Sequence, residues 1–291
     1  MSMRALVRGL TAAAAAAGAV ALGLTAPTAQ AATPLAYVAL GDSYSAGSGI
    51  LPLDPTAPLL CARSTADYPH VLASRLGAQL HDVTCGGAET TDFAGSQYPG
   101  VAPQLDALSG GTRLVTLTIG GNDSDTFIDA ILACGSAGVV TAGHGSPCKA
   151  LYGNSFDNTI DNTTYPALRA ALQKVRDKAP NARVAVLGYP WIVPATADPS
   201  CFAKMPIASG DVPYLRDLQT HLNSAVQRAA HDTGATFVDM AAASDGHDAC
   251  APAGTRWIEP ILFGTNFVPV HPNAFGEQQM AARTLAVLGD G

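Results

Sequence analysis

Apolar residues in this chain come in short runs separated by longer amphipathic stretches. Leu35–Leu40, Leu114–Ile119 and Val184–Leu187 are runs of the length expected for buried strands. Gln79–Thr84 and Thr236–Val238 are weaker strand candidates. Between them, residues 66–76 place Tyr68, Val71, Leu72 and Leu76 on one helical face, and helices are also predicted over 164–178, 213–232 and 273–288. Strands alternating with helices predict an α/β fold, a parallel sheet covered on both faces. Ligands of such sheets gather beyond the carboxyl ends of the strands. No repeat or linker-like stretch divides residues 32–291, which read as one domain.

Residues 1–31 have a different character. Arg4 and Arg8, an alanine-rich apolar run and the A-x-A at Ala29–Ala31 form a signal peptide, with cleavage expected before Ala32. A membrane anchor is the competing explanation, but the run is short and small-residue-rich for a span. The mature protein is therefore expected to be secreted and extracellular, with no integral membrane segment. The formal charge of −7 becomes −9 once Arg4 and Arg8 are removed. So acidic and sparsely charged a chain has no footprint for nucleic acid and gives no reason to expect strong attraction to an anionic membrane surface.

Six cysteines, Cys61, Cys85, Cys134, Cys148, Cys201 and Cys250, all follow the signal segment. An even number in an exported chain argues for disulfides, and consecutive pairing closes the shortest loops, although fifteen pairings are formally open. A metal site at Cys134, His144 and Cys148 is the competing reading, but their spacing matches no compact zinc knuckle. No metal and no cofactor are expected.

Three stretches, GDSYSAG (41–47), TCGGAET (84–90) and TIGGND (118–123), each follow a predicted strand. That places Ser43, Gly87 and Asn122 on one rim. Taken singly, each has a structural explanation: Ser43 and Asn122 as helix caps, Gly87 as a tight turn. Together they offer a nucleophile and donors for a developing oxyanion, namely the N–H groups of Ser43 (at an expected helix start) and Gly87 and the Asn122 amide. Of seven histidines, His70, His221 and His231 fall in predicted helices, His81 beside a strand, and His144 and His247 in polar loops. His271 differs: it precedes Pro272-Asn273 and the last helix, where flanking prolines can present it rigidly to the rim. The usual G-x-S-x-G elbow is absent, because Gly41-Asp42-Ser43-Tyr44-Ser45 ends in serine.

These four blocks, GDSY, CGGAET, GGND and HPN, occur in family order across residues 41–273 and resemble the SGNH, or GDSL, hydrolases, and in its six cysteines and exported start the chain resembles the secreted actinobacterial lipases and esterases of that family. The resemblance implies a three-layer α/β/α, flavodoxin-like fold with a five-stranded parallel sheet. It also implies carboxylic-ester hydrolysis with Ser43 as nucleophile, His271 as base, and Ser43, Gly87 and Asn122 as oxyanion hole. CGGA offers Gly86 as well as Gly87, and Gly87, next to Ala88, is the choice. Many relatives carry an acid three residues before the histidine, where this chain has Val268. The expectation is a Ser43–His271 dyad oriented by the Pro269 carbonyl, with Asp245, Asp248 and Glu259 as rival acceptors and Asp42 as a structural brace. The implied partner is a small-molecule or lipid ester, handled by a monomer. Phospholipase A or lysophospholipase activity and polysaccharide acetyl-ester hydrolysis share the chemistry. A catalytically inactive lipid- or glycan-binding module would be expected to lack Ser43, Asn122 or His271, and all three are present. The apolar loops 50–60 and 191–200 are candidate pocket walls.

Overall fold

The computed structural model describes residues 33–289; the proposed signal segment, residues 1–31 with cleavage before Ala32, lies outside the described residues. In chain order the regular elements are β1 (Ala36–Ala39), α1 (Tyr68–Leu76), β2 (Gln79–Asp82), β3 (Leu114–Leu117), α2 (Thr126–Val140), α3 (Pro147–Tyr152), α4 (Ser155–Thr159), α5 (Tyr165–Lys178), β4 (Arg183–Leu187), α6 (Asp211–Asp232), β5 (Thr236–Val238), α7 (Met240–Ala243) and α8 (Ala274–Gly289). The expected strands and helices are present, with ends shifted by a few residues. Helices α3, α4 and α7 are additional to the predicted set, and a helix at α2 entered only through the reading of Asn122 as a cap. In α2 (TFIDAILACGSAGVV) apolar and small residues occupy every side, so no polar stripe marks a helical period.

All five strands are parallel, in the order β2-β1-β3-β4-β5. This is the doubly wound order whose direction reverses between β1 and β3, and the crevice beyond that reversal is where such sheets bind ligands. Alternation along each strand sorts side chains into two cores. Val38, Val115, Leu117, Val184 and Val186 face one layer, filled by α2, α5 and α6 through residues such as Phe127, Leu172 and Leu222. Tyr37, Ala39, Leu114, Ala185 and Leu187 face the other, where α1 and α8 supply Tyr68, Leu72, Met280 and Ala281. The result is the three-layer α/β/α arrangement.

Disulfides Cys61–Cys85, Cys134–Cys148 and Cys201–Cys250 tie surface segments to this frame. The second removes Cys134 and Cys148 as metal ligands. No helix among the described residues is long and apolar enough to cross a membrane.

Candidate active site

The polypeptide leaves β1 through Gly41 and enters a run of turns over 43–49, not the helix start expected after Ser43. The Asp42 carbonyl accepts from Ser45 N at 3.1 Å and Ala46 N at 2.9 Å, as a helix would begin. The left-handed glycines Gly47 and Gly49 (φ +60° and +103°) then turn the chain away. Asp42 is buried and braces the turn: Oδ1 accepts from Tyr44 N at 3.0 Å and Thr118 Oγ1 at 2.6 Å, and Oδ2 accepts from the Tyr189 hydroxyl. Burial pushes this carboxyl up to about 6, against those bonds. It makes no hydrogen bond with His271 among the described residues.

His271 approaches from the opposite side, on the segment that precedes α8. Its Nε2 lies 2.7 Å from Ser43 Oγ and its Nδ1 lies 2.7 Å from the Pro269 carbonyl. A ring that donates through Nδ1–H keeps Nε2 free to accept from serine. Burial holds the imidazole below its ordinary pKa, with the Pro269 bond working in the opposite direction. The rival acids are engaged elsewhere. Asp245 pairs with Arg216 at 2.8 Å, Asp248 accepts from Cys250 N at 2.9 Å, and Glu259 accepts from Arg256, Thr265 and Asn273.

What aims the Pro269 oxygen is the residue after it. Val270 has φ +54°, a conformation that a β-branched side chain rarely adopts. Long-range contacts hold it there: Val270 N donates to Glu259 O at 3.0 Å, and its carbonyl accepts from the Tyr44 hydroxyl at 2.5 Å. The Tyr44 ring also packs against His271, centroids 5.1 Å apart, and edge-on against Tyr189 at 5.1 Å. Tyr44 thus touches both Val270 and the His271 ring, contacts that the sequence did not announce except by placing it next to Ser43.

The donor side forms at the ends of β2 and β3. Gly86 N donates to Cys61 O at 2.8 Å and Ala88 N to Cys85 O at 3.1 Å, so both are committed. Gly87, at φ +76°, lies between them, and among the described residues neither its N–H nor that of Ser43 has a hydrogen-bond partner. Asn122 makes no side-chain capping bond. One of its amide hydrogens goes to Ala88 O at 3.0 Å, which ties it to the glycine turn and leaves the other available. Asp123 strengthens the link by accepting from Thr90 N at 2.9 Å and Thr90 Oγ1 at 2.7 Å.

The two candidate wall loops part company. Loop 50–60 exposes Leu51, Leu59 and Leu60. Loop 191–200 instead borders an apolar cavity of about 240 Å³ with His144 and Phe202, whose lining includes none of Ser43, Gly87, Asn122 and His271. His247 stacks on Trp257 (centroids 5.2 Å) and donates to or accepts from no group of the site.

Residues 39–279 match the GDSL-like Lipase/Acylhydrolase family. The chain is 67% identical to Lipase 2 of Streptomyces coelicolor over 294 residues, covering 99% of each. Its fold is similar to that of phospholipase A1 from Streptomyces albidoflavus NA297 (TM-score 0.72, 31% identity, covering 89% of this chain and 99% of that one). It is also similar to an extracellular lipase from Streptomyces rimosus (TM-score 0.68, 30% identity, covering 87% and 98%). By profile, identity and fold together, the chain belongs to the GDSL-like lipase/acylhydrolase family and is a carboxylic ester hydrolase.

Proposed function

We propose that the protein is an exported lipase or esterase that works through a Ser43–His271 dyad. The observation that carries this is the chain of contacts at His271, with Nε2 2.7 Å from Ser43 Oγ and Nδ1 2.7 Å from the Pro269 carbonyl. His271 Nε2 takes the hydroxyl proton as Oγ attacks the acyl carbon, and the carbonyl electron pair moves onto oxygen. The resulting oxyanion is held by the N–H groups of Ser43 and Gly87 and the free amide hydrogen of Asn122. Collapse expels the alcohol, which takes the proton from His271. Water, deprotonated by the same nitrogen, then cleaves the acyl-serine and releases the acid. The neutral Pro269 carbonyl fixes the tautomer but stabilises the imidazolium less than a carboxylate would.

A lipid ester suits the surroundings. Leu51, Leu59, Leu60, Phe263 and Phe267 are exposed on the loops after Ser43 and before His271. Phospholipids are a second substrate class, favoured by the likeness to the S. albidoflavus phospholipase A1. Export, with residues 1–31 as signal peptide and 32–291 as the catalytic domain, is supported by the three disulfides and by the likeness to the extracellular S. rimosus lipase. Every group of the proposed site comes from one chain, so a monomer suffices.

The test is hydrolysis of p-nitrophenyl esters from acetyl to palmitoyl, alongside phosphatidylcholine and acetylated xylan, by wild type and Ser43→Ala. Wild type should turn over acyl esters and react with a serine-directed phosphonate, and Ser43→Ala should do neither while unfolding at the same temperature. Activity kept by the alanine variant would overturn the assignment of the nucleophile.

A further inference from the structure

We propose that Asp67, His70 and Asp82 form a binding site for one divalent metal ion of the Zn2+ type, independent of the Ser43–His271 centre. Asp67 caps α1, His70 lies three residues on, and Asp82 ends β2, so parallel packing of the helix connection brings together ligands that the sequence separates. One ligand atom from each lies within 4.8 Å of the others. His70 Nδ1 is 2.7 Å from Asp67 Oδ1 and 3.6 Å from Asp82 Oδ2. Around a tetrahedral ion with bonds of about 2.0–2.2 Å, neighbouring ligand atoms stand about 3.3–3.6 Å apart, so small side-chain adjustments close the site.

Two buried carboxylate oxygens are free to bind a cation. Asp67 Oδ2 and Asp82 Oδ2 are buried and have no hydrogen-bond partner among the described residues. The other oxygens are committed: Asp67 Oδ1 accepts from His70 N at 2.9 Å, and Asp82 Oδ1 accepts from Thr84 N at 2.9 Å and Thr84 Oγ1 at 2.7 Å. Of the cations beside them, His70 counts only when its ring is charged, and the Arg63 guanidinium does not compensate both carboxylates. Arg63 is 3.5 Å from Asp82 Oδ1, bonds the Thr84 and Asp82 carbonyls, and shares its charge with Asp54.

In the metal-free chain His70 Nδ1 faces both carboxylates. An ion bound there would displace any proton on Nδ1, to Nε2 or, from a charged ring, to solvent. Imidazole nitrogen with two carboxylate oxygens favours Zn2+ over Ca2+, which prefers six to eight oxygens. The His70 side chain is 34% exposed, which opens an edge for entry and for a fourth, water ligand. The ion would clamp the start of α1 to the end of β2 and take no part in ester hydrolysis.

The experiment uses untagged, EDTA-stripped full-length mature protein, titrated with ZnCl2 or CaCl2 by calorimetry and followed by thermal unfolding. We expect one equivalent of Zn2+, binding more tightly than Ca2+. Tm should rise by about 5–10 °C when Zn2+ is a hundredfold above Kd. His70→Gln and Asp82→Asn should each lose the binding and the shift while retaining p-nitrophenyl ester hydrolysis. If Asp82→Asn fails to fold, His70→Gln, altered at the exposed edge, decides. The site is overturned if wild type binds no Zn2+, if binding persists unchanged in His70→Gln, or if Ca2+ binds more tightly.

Discussion

Removing one hydroxyl, in Tyr44→Phe, probes how the base is oriented. Phenylalanine keeps the ring between His271 and Tyr189 and loses only the donor to Val270 O, a 2.5 Å bond between buried residues. A buried acceptor left unpaired costs about 1–3 kcal/mol. At about 2–4 °C per kcal/mol for a domain of this size, Tm should fall by about 2–12 °C. The functional effect follows from the strained Val270 backbone, which is released on one side and still held by its bond to Glu259 O. Complete loss of the Pro269–His271 bond, made to a ring that becomes charged, would remove about 1.5–3 kcal/mol. That corresponds to about ten- to a hundredfold in kcat. Because the second anchor remains, about tenfold is expected. The sign of the pH effect separates orientation from mere stability. Burial lowers the His271 pKa and the Pro269 bond raises it, so weakening that bond should move the acid limb of kcat/KM to lower pH. The assay is steady-state hydrolysis of p-nitrophenyl butyrate from pH 4 to 8 beside a melting curve. A lower Tm with unchanged kcat and an unmoved limb would refute the positioning role.

Asn122→Ala should lower kcat by about 10²–10³ with a smaller change in KM, the scale of one lost oxyanion donor; a variant altered only in KM would mark Asn122 as a substrate-positioning group. Asp245→Asn, Asp248→Asn and Glu259→Gln should each leave kcat within about tenfold, against the ~10⁴ loss expected on altering a triad carboxylate. Glu259→Gln alone among them should also lower Tm, because it breaks the buried pair with Arg256. In wild type the base works deprotonated and burial depresses its pKa, so the acid limb of kcat/KM should lie below the ordinary imidazole value near 6.5; a limb above it would contradict the burial. Full reduction should lower Tm, each disulfide being worth about 2–4 kcal/mol, whereas EDTA should leave ester hydrolysis intact.

The alternation of short apolar runs with amphipathic stretches was enough to determine a parallel α/β sheet, because burial on two faces demands that composition wherever the chain goes. The order of GDSY, CGGAET, GGND and HPN was enough to determine the family, and with it the rim on which chemistry should be sought. Local pattern could not resolve α2, whose apolar residues run all round it. Nor could it show how the backbone N–H groups of Gly86 and Gly87 differ, Gly87 being chosen for its place beside Ala88. That difference depends on Cys61, whose carbonyl takes the Gly86 N–H from a distance of 25 residues. The Pro269 carbonyl beside His271 Nδ1 was legible two residues upstream, but not the backbone that follows it: Val270 is left-handed, and Tyr44 and Glu259 bond its two ends. Asp67, His70 and Asp82 read as an unremarkable cap, helix residue and strand end. They become neighbours only when α1 packs back against β2. Local propensity reports what a residue prefers over a few neighbours, whereas a strained backbone, a spare N–H or a cluster of carboxylates exists only through contacts made by the folded whole.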